Sequence, residues 1–214
     1  MRPLAVLLVL VAALTAGCGS RPHSHDVGRF AGIPQHGAVL GSEHAPFTLV
    51  EFVDLQCPWS AAFDRKVLPS VVSRFVRTGQ LRIELRTVAF LGPDSAPLSA
   101  ATTAAGMQDR MWQFADLAFR RQGGENSGYA TPAFIGGIAS AAGLDIARLG
   151  RASGTPELRG ELQGAARAAQ TARITGTPGF RFGRTGGVLT PFGQGSARWR
   201  DLRARIAAAI RRHI

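Results

Sequence analysis

The chain has 214 residues with 25 basic and 14 acidic side chains, so its formal net charge at pH 7 is +11. This length suits one domain with an insertion and disfavours several independent domains. All the basic residues except Lys66 are arginines, and those near the C-terminus lack the interleaved aromatic residues of a nucleic-acid-binding surface. We interpret the charge as a solvated face or a surface that adheres to anionic headgroups, and expect no nucleic-acid partner.

The N-terminus has the pattern of an export signal. A basic start is followed by an uncharged apolar run over residues 4–13 and then by small residues before Cys18. The run is shorter than the ~20 residues that a membrane-spanning helix needs. Because Ala16-Gly17 directly precedes Cys18, as in a bacterial lipobox, we expect a signal peptide over residues 1–17 and lipidation of Cys18. Ordinary secretory cleavage beside an incidental cysteine is the alternative.

Residues 18–37 are rich in glycine, serine and proline and show no periodic pattern, which predicts a flexible tether before a domain over residues 38–214. The tether contains His23, His25 and His36, but their spacing is loose and no acid or thiol accompanies them. We therefore expect no metal site and no cofactor. Export and lipidation together predict a domain held on the outer face of a bacterial cytoplasmic membrane.

The predicted elements follow in the order β-α-β, helical insertion, β-β-α. The continuous apolar run over residues 47–53 is typical of a buried strand, and an apolar stripe over residues 58–78 predicts a helix that Pro69 kinks. Residues 81–90 alternate between apolar and charged side chains, as a half-exposed strand does. Alanine-rich helices are expected within about 94–170, over residues 100–105, 107–121, 131–142 and 157–172. A hairpin is expected around 184–187, with its second strand at Val188-Leu189, and a final amphipathic helix over 199–210.

Cys57 lies where the first predicted strand turns into a helix. The unpaired N–H groups and the positive end of the dipole at a helix N-terminus favour thiolate over thiol, so we expect the Cys57 sulfur to be an accessible thiolate. Pro58 suits the first helical position, and Trp59 is a large aromatic that a solvent-facing first turn does not need. Far downstream, Thr177-Pro178 precedes an apolar strand, where cis prolines are often found. The ordinary alternative is that Cys57 is a small buried hydrophobic residue.

Over about residues 36–210 the chain resembles the DsbA-like branch of the thioredoxin superfamily. The similarity rests on four segments: residues 50–58, Leu68-Pro69, Leu91-Gly92-Pro93 and residues 174–178. The resemblance implies an α/β thioredoxin fold with an inserted α-helical subdomain. It also implies a cis Pro178 facing Cys57, with Thr177 offering its backbone to an extended client. By the same resemblance Glu51 is a buried acid beneath the site.

Ser60 is the departure from that family, which usually has a second cysteine at this position. Thiol–disulfide exchange proceeds through thiolate attack and a mixed disulfide. With Ser60 the attack remains possible, while resolution requires a small thiol or a second client thiol. We expect the Ser60 hydroxyl to donate a hydrogen bond to the Cys57 thiolate, and Glu51 to act on the sulfur or relay a proton. The alternative for Glu51 is an ion pair with an arginine such as Arg86.

Three functional hypotheses follow. The first is an exported monothiol oxidoreductase or isomerase that uses Cys57 on unfolded or disulfide-containing proteins, with a small thiol as resolving reagent. The second is a peptide-binding, chaperone-like holder that uses the groove at Pro178 without redox turnover. The third is an inert descendant of the fold, against which the position of Cys57 argues.

Overall fold

The computed structural model describes residues 28–195 and 200–212. Their strands form one six-stranded mixed sheet in the order β1-β2-β4-β3-β5-β6. The strands are β1 (Gln35–His36), β2 (Val39–Leu40), β3 (Phe47–Val53), β4 (Leu81–Thr87), β5 (Gly179–Arg184) and β6 (Thr190–Gln194).

Strand β3 lies at the centre of this sheet, parallel to β4 and antiparallel to β5. All seven of its residues are buried, the polar Thr48 and Glu51 included, which explains the largely apolar run and confirms the predicted strand. Successive side chains point to opposite faces of the sheet. Leu49 and Val53 accordingly belong to the main core, whereas Val50 and Phe52 belong to a second apolar cluster.

The helix expected over residues 58–78 is divided into three pieces. Helix α1 (Pro58–Lys66) and helix α2 (Leu68–Val71) meet at Val67, and a π-helical turn (Val72–Val76) completes the segment. Pro69 has no N–H to donate to the preceding turn, so the regular hydrogen bonding is interrupted just before it. The predicted kink is confirmed.

Five helices lie between β4 and β5: α3 (Ser95–Gly106), α4 (Met111–Arg120), α5 (Pro132–Ala141), α6 (Ile146–Ala152) and α7 (Pro156–Thr171). Helix α3 contacts α4, α5, α6 and α7 and is the centre of this group. The expected α/β thioredoxin fold with an inserted helical subdomain is confirmed. The short helix α6 was not predicted.

The chain closes with the β5–β6 hairpin and helix α8 (Leu202–Arg211). The second hairpin strand begins at Thr190, two residues later than the sequence pattern indicated. Helix α8 buries Leu202, Ile206 and Ile210 in the main core. Its amphipathic pattern therefore packs it against the sheet, as expected.

The expected tether is wrong for residues 28–37. Gly28–Phe30 forms a 3-10 turn and Gln35–His36 joins the sheet as β1. Phe30 is only 2% exposed, and its ring contacts that of Trp112 with 5.8 Å between centroids. Burial of Phe30 and Ile33 in the main core holds this segment on the domain, since removing such apolar side chains from water is favourable.

The expected signal peptide, Cys18, His23 and His25 lie outside the described residues. Within the part of the chain that the structure describes, no helix is both long and apolar enough to span a membrane.

Candidate active site

Cys57 lies between the carboxyl end of β3 and the first turn of α1. It is the N-cap residue of that helix, with an extended backbone at φ −72° and ψ 119°, and Pro58 follows at the first helical position. The thiol is free and donates a hydrogen bond to the carbonyl oxygen of Thr177, with 3.4 Å between the two atoms. Cys57 is 5% exposed, so the expectation of an accessible sulfur is wrong for this conformation. The reason is that the loop containing Thr177 packs against it.

The loop at Pro178 reaches Cys57 through strand pairing. The Thr177–Pro178 peptide bond is cis, as predicted. Gly179, the next residue, begins β5 and pairs with Phe52 of β3, which brings the loop to the same edge of the sheet as the thiol. The structure thus places Thr177 and Pro178 beside the sulfur, where the family resemblance expected them.

Two large apolar side chains are exposed at this edge of the domain. Trp59, directly after Pro58, is 45% exposed. Phe90, which follows the parallel strand β4, is 48% exposed, and its backbone N–H donates to Asp54, three residues before Cys57. Exposed aromatic groups close to a functional residue are a common feature of binding surfaces.

Ser60 occupies the third position of α1 and is fully buried. Its hydroxyl oxygen has no hydrogen-bond partner among the described residues. The expected hydrogen bond from Ser60 to Cys57 is therefore absent in this structure, in which the thiol donates to Thr177.

The turn before Cys57 is held by Asp54. This side chain is completely buried and accepts four hydrogen bonds, from the backbone N–H groups of Gln56, Phe90 and Leu91 and from the Ser95 hydroxyl. The donor–acceptor distances range from 2.8 to 3.1 Å. A carboxylate with this many donors fixes the backbone around it, so Asp54 joins the ends of β3 and β4 to α3.

Gln56 extends this network to the helical subdomain. Its amide nitrogen donates to Ser95 at 2.7 Å and to the Asn126 side chain at 3.0 Å, and its amide oxygen accepts the Asn126 N–H at 2.8 Å. Gln122 reaches the same turn by donating to the carbonyl oxygens of Leu55 and Cys57. Sequence reasoning missed these residues. Asp54 and Gln56 stand directly before Cys57 as polar residues in an apolar run, which was the available indication.

Glu51 belongs to a buried acidic cluster, with Asp64 of α1 and Asp116 of α4. Burial raises the pKa of Glu51 well above its ordinary value, and the negative charge of Asp64 adds to this while Arg29 opposes it. Burial likewise raises the pKa of Asp64 to about 6, against the effect of Arg29. Glu51 is thus a buried acid that favours its protonated form.

Arg29 supplies positive charge to this cluster, together with Arg120, whose Nε lies 3.1 Å from Asp116. The Arg29 guanidinium lies 2.7 Å from an Asp64 carboxylate oxygen and 3.0 Å from an Asp116 carboxylate oxygen. The alternative pairing of Glu51 with Arg86 is wrong, because Arg86 pairs with Glu84 on the opposite face of the sheet. Sequence reasoning placed Arg29 in the tether and so missed its contact with the active-site helix.

No group of three or more histidine, cysteine or acidic side chains within residues 28–195 and 200–212 is arranged to hold a metal ion. His36 is 97% exposed at its side chain, and its Nδ1 lies 3.7 Å from an Asp109 carboxylate oxygen.

Sequence comparison finds relatives named for disulfide chemistry. The chain is 29% identical over 103 residues to disulfide bond formation protein D of Bacillus subtilis, covering 47% of this chain and 46% of that protein. It is 25% identical over 143 residues to a probable disulfide bond formation protein D of Bacillus anthracis, covering 65% and 66%. The chain thus spans about half to two-thirds of the length of these relatives.

Solved structures share the fold. BdbD from Bacillus subtilis, in its oxidised form, superposes with a TM-score of 0.68 at 20% identity, covering 84% of this chain and 97% of that one. DsbA from Chlamydia trachomatis gives 0.63 at 18% identity, covering 84% and 94%. A family model described as thioredoxin matches residues 35–185, more than half of the chain, and the protein therefore belongs to the thioredoxin family.

Proposed function

We propose that the protein catalyses thiol–disulfide exchange on exported proteins with Cys57 as its single nucleophile. The observation that carries this proposal is the placement of a free thiol at the N-cap of α1, 3.4 Å from the carbonyl oxygen before the cis Pro178. A helix N-terminus stabilises the thiolate that attacks. The names of the sequence relatives support the same class of reaction.

The proposed reaction begins when the Cys57 thiolate attacks one sulfur of a client disulfide. The client S–S bond breaks, a Cys57–client disulfide forms, and the second client sulfur leaves as a thiolate. Ser60 has no sulfur with which to displace the client. Release therefore needs attack by another client thiol, which reshuffles the disulfide without net oxidation, or by a small thiol, which becomes attached to the client sulfur or is itself captured on Cys57.

The client is proposed to lie as an extended segment along Thr177 and Pro178, with its side chains against Trp59 and Phe90. Backbone hydrogen bonds to an exposed loop or strand edge bind a peptide with little dependence on its sequence, while apolar side chains add contact area. The sulfur lies beneath this loop, so a client has to displace the Thr177 carbonyl from the thiol before attack.

Export and anchoring remain predictions. An export signal over residues 1–17 and lipidation of Cys18 place the domain outside the bacterial cytoplasmic membrane, where disulfides persist. In that case Cys57 is the one free thiol of the mature chain. Replacing Cys18 with serine is expected to release the protein from the membrane fraction.

A peptide-binding holder without redox turnover is the second candidate. The 5% exposure of Cys57 and the exposed Trp59 and Phe90 favour it, since a holder needs an apolar surface and no accessible sulfur. The two functions differ in their dependence on the thiol.

The test combines wild type and Cys57→Ala with glutathione disulfide and with a protein whose disulfides are scrambled. An exchange enzyme forms a glutathione adduct on Cys57, visible by mass spectrometry, and speeds recovery of the native disulfides when reduced glutathione is added. Cys57→Ala should do neither. Equal suppression of client aggregation by both proteins, without an adduct on wild type, would establish the holder instead.

A further inference from the structure

We propose that Gln122, in the loop after α4, is a positioning residue that raises the reactivity of the Cys57 thiol. Gln122 acts on Cys57 through the backbone, and this inference rests on the proposed thiol chemistry. It assigns part of the control of the sulfur to the inserted helical subdomain, 65 residues further along the chain.

The contact joins two segments that are 65 residues apart in the sequence. The Gln122 amide nitrogen donates to the carbonyl oxygen of Leu55 at 2.9 Å and to that of Cys57 itself at 3.2 Å. The Cys57 carbonyl also accepts the first backbone bond of α1, from Ala61 at 3.1 Å. Gln122 therefore adds a second donor to the carbonyl of the residue that caps the helix.

The loop that contains Gln122 is itself fixed. Asn126 uses its backbone N–H and side chain to bond the Gln56 amide and donates to the carbonyl of Leu91 at 2.9 Å. Gly128 donates to Asp94 at 2.9 Å, near the start of α3. Asn126 and Gly128 thus bond this loop to the segments that follow β3 and β4, which holds it against the turn that contains Cys57.

The amide has an electrostatic effect as well as a mechanical one. Its N–H groups carry partial positive charge and bond the carbonyl oxygen of the residue that carries the sulfur. Positive partial charge near the sulfur favours the thiolate, in the same direction as the dipole of α1. A purely mechanical contact would not distinguish between charges at this position.

The experiment compares Gln122→Leu, Gln122→Glu and Gln122→Lys in the full chain. Leucine removes the donor, glutamate replaces it with a negative acceptor of the same shape, and lysine keeps a donor and adds positive charge. The rate of iodoacetamide modification is followed from pH 5 to 10 on the peptide that contains Cys57, by mass spectrometry. Thermal unfolding of each variant is measured beside it.

Gln108→Leu is the matched control. Gln108 is half-buried in the same subdomain, and its amide bonds the backbone of Asp145 on both sides, at 3.2 and 3.0 Å. The Gln108→Leu variant therefore loses a comparable pair of hydrogen bonds at a site that does not contact Cys57.

We expect the pH of half-maximal alkylation to rise by about one unit in Gln122→Glu and by about half a unit in Gln122→Leu. At a pH well below these midpoints this means a rate about tenfold and about threefold lower. Gln122→Lys should shift the midpoint downward, and Gln108→Leu should not move it.

The proposal is overturned if the three Gln122 variants show the wild-type midpoint, or if their shifts follow the loss of thermal stability and not the sign of the charge. Gln122→Leu adds no buried charge, so it provides the decisive measurement where Gln122→Glu fails to fold. If wild-type Cys57 forms no glutathione adduct, the proposed function fails, whereas an unchanged alkylation midpoint rejects only the role of Gln122.

Discussion

The two sides of Cys57 differ in how completely their buried polar groups are paired. On the side before the sulfur, Asp54 and Gln56 bond to β4, α3 and the loop after α4. On the side after it, along α1, the Ser60 hydroxyl has no partner among the described residues. One carboxylate oxygen of Asp64, on α1, and one of Glu51, which lies in β3 but belongs to the same acidic cluster, likewise have no hydrogen-bond partner among the described residues.

This difference separates the part of the site that fixes geometry from the part that holds protons. A fully bonded carboxylate and amide set one backbone conformation, because any movement leaves buried donors unsatisfied. Buried acids without enough donors favour their protonated forms instead, and the raised pKa values of Glu51 and Asp64 show this. The turn before the sulfur is therefore rigid, while the acids beside α1 are the groups that respond to pH.

The largest expected effect, a loss of free thiol, comes from adding a sulfur at position 60, on the α1 side of Cys57. Ser60→Cys should form a disulfide with Cys57, since residues three apart in a first helical turn lie within the Cα separation that disulfides accept. The expected outcome is nearly complete loss of free thiol after oxidation, with a gain of oxidase activity on reduced clients.

Counting free thiols by mass spectrometry under non-reducing conditions measures this, with Cys57→Ala/Ser60→Cys as the control that is unable to close the bridge. Persistence of two free thiols in Ser60→Cys would show that the site has departed from dithiol geometry and would favour the peptide-holding function.

The next largest effect should come from removing the hydrogen bonds that hold the turn before Cys57. Asp54→Ala leaves three backbone N–H groups and the Ser95 hydroxyl without their acceptor. We expect a loss of about 3 kcal/mol in the free energy of unfolding, measured by urea denaturation. Asp145→Ala, which removes an exposed helix cap at α6, should cost about 1 kcal/mol. Equal losses in the two variants would contradict the special role of the turn before Cys57.

The pH dependence of the free energy of unfolding should come from the buried acidic cluster beside α1. The pKa of Asp64 is raised to about 6 in the folded protein, so folding favours its protonated form. Its contribution to stability is present in acid and is lost as the pH rises through 6. Relative to Asp64→Asn, wild type should lose about 1 kcal/mol of unfolding free energy between pH 5 and 7.5.

Urea denaturation at the two pH values measures this contribution. Glu161→Gln is the control, because Glu161 is exposed on α7 and lies outside the acidic cluster. If wild type and Asp64→Asn show the same pH dependence, the acidic cluster does not titrate in this range.

The smallest effect is expected for Ser60→Ala. The hydroxyl forms no hydrogen bond with the described residues, so removing it leaves no partner unsatisfied. The free energy of unfolding should stay within about 0.5 kcal/mol of wild type or rise slightly. A loss above about 1 kcal/mol in urea denaturation would show that Ser60 is bonded in solution, and the proposed contrast between the two sides of Cys57 would then fail.

Local patterns predicted the central elements well. The apolar run over residues 47–53 reads as a buried strand because both its faces are covered, and it forms one with the predicted bounds. Cys57 at the strand end and Pro58 behind it determine where α1 begins. The cis Pro178 loop was predicted from the proline before an apolar strand, and pairing of Gly179 with Phe52 explains why it lies beside the thiol.

These local patterns do not predict contacts between segments that are distant in the sequence. Arg29 is one of many arginines in the sequence, and only packing of Phe30 against Trp112 places it between Asp64 and Asp116. The same holds for Gln122, an ordinary loop glutamine in the sequence.

The sequence by itself thus determined the strand, the helix start, the thiol at that start and the serine in place of a second cysteine, because each depends on neighbours within a few residues. The tertiary structure alone decided which side chains surround that thiol: the buried sulfur bonded to Thr177, the unpaired Ser60, and Gln122 on the Cys57 carbonyl. Hydrogen bonds and ion pairs between elements 35 to 120 residues apart depend on how the sheet and helices pack, and no local pattern encodes that arrangement.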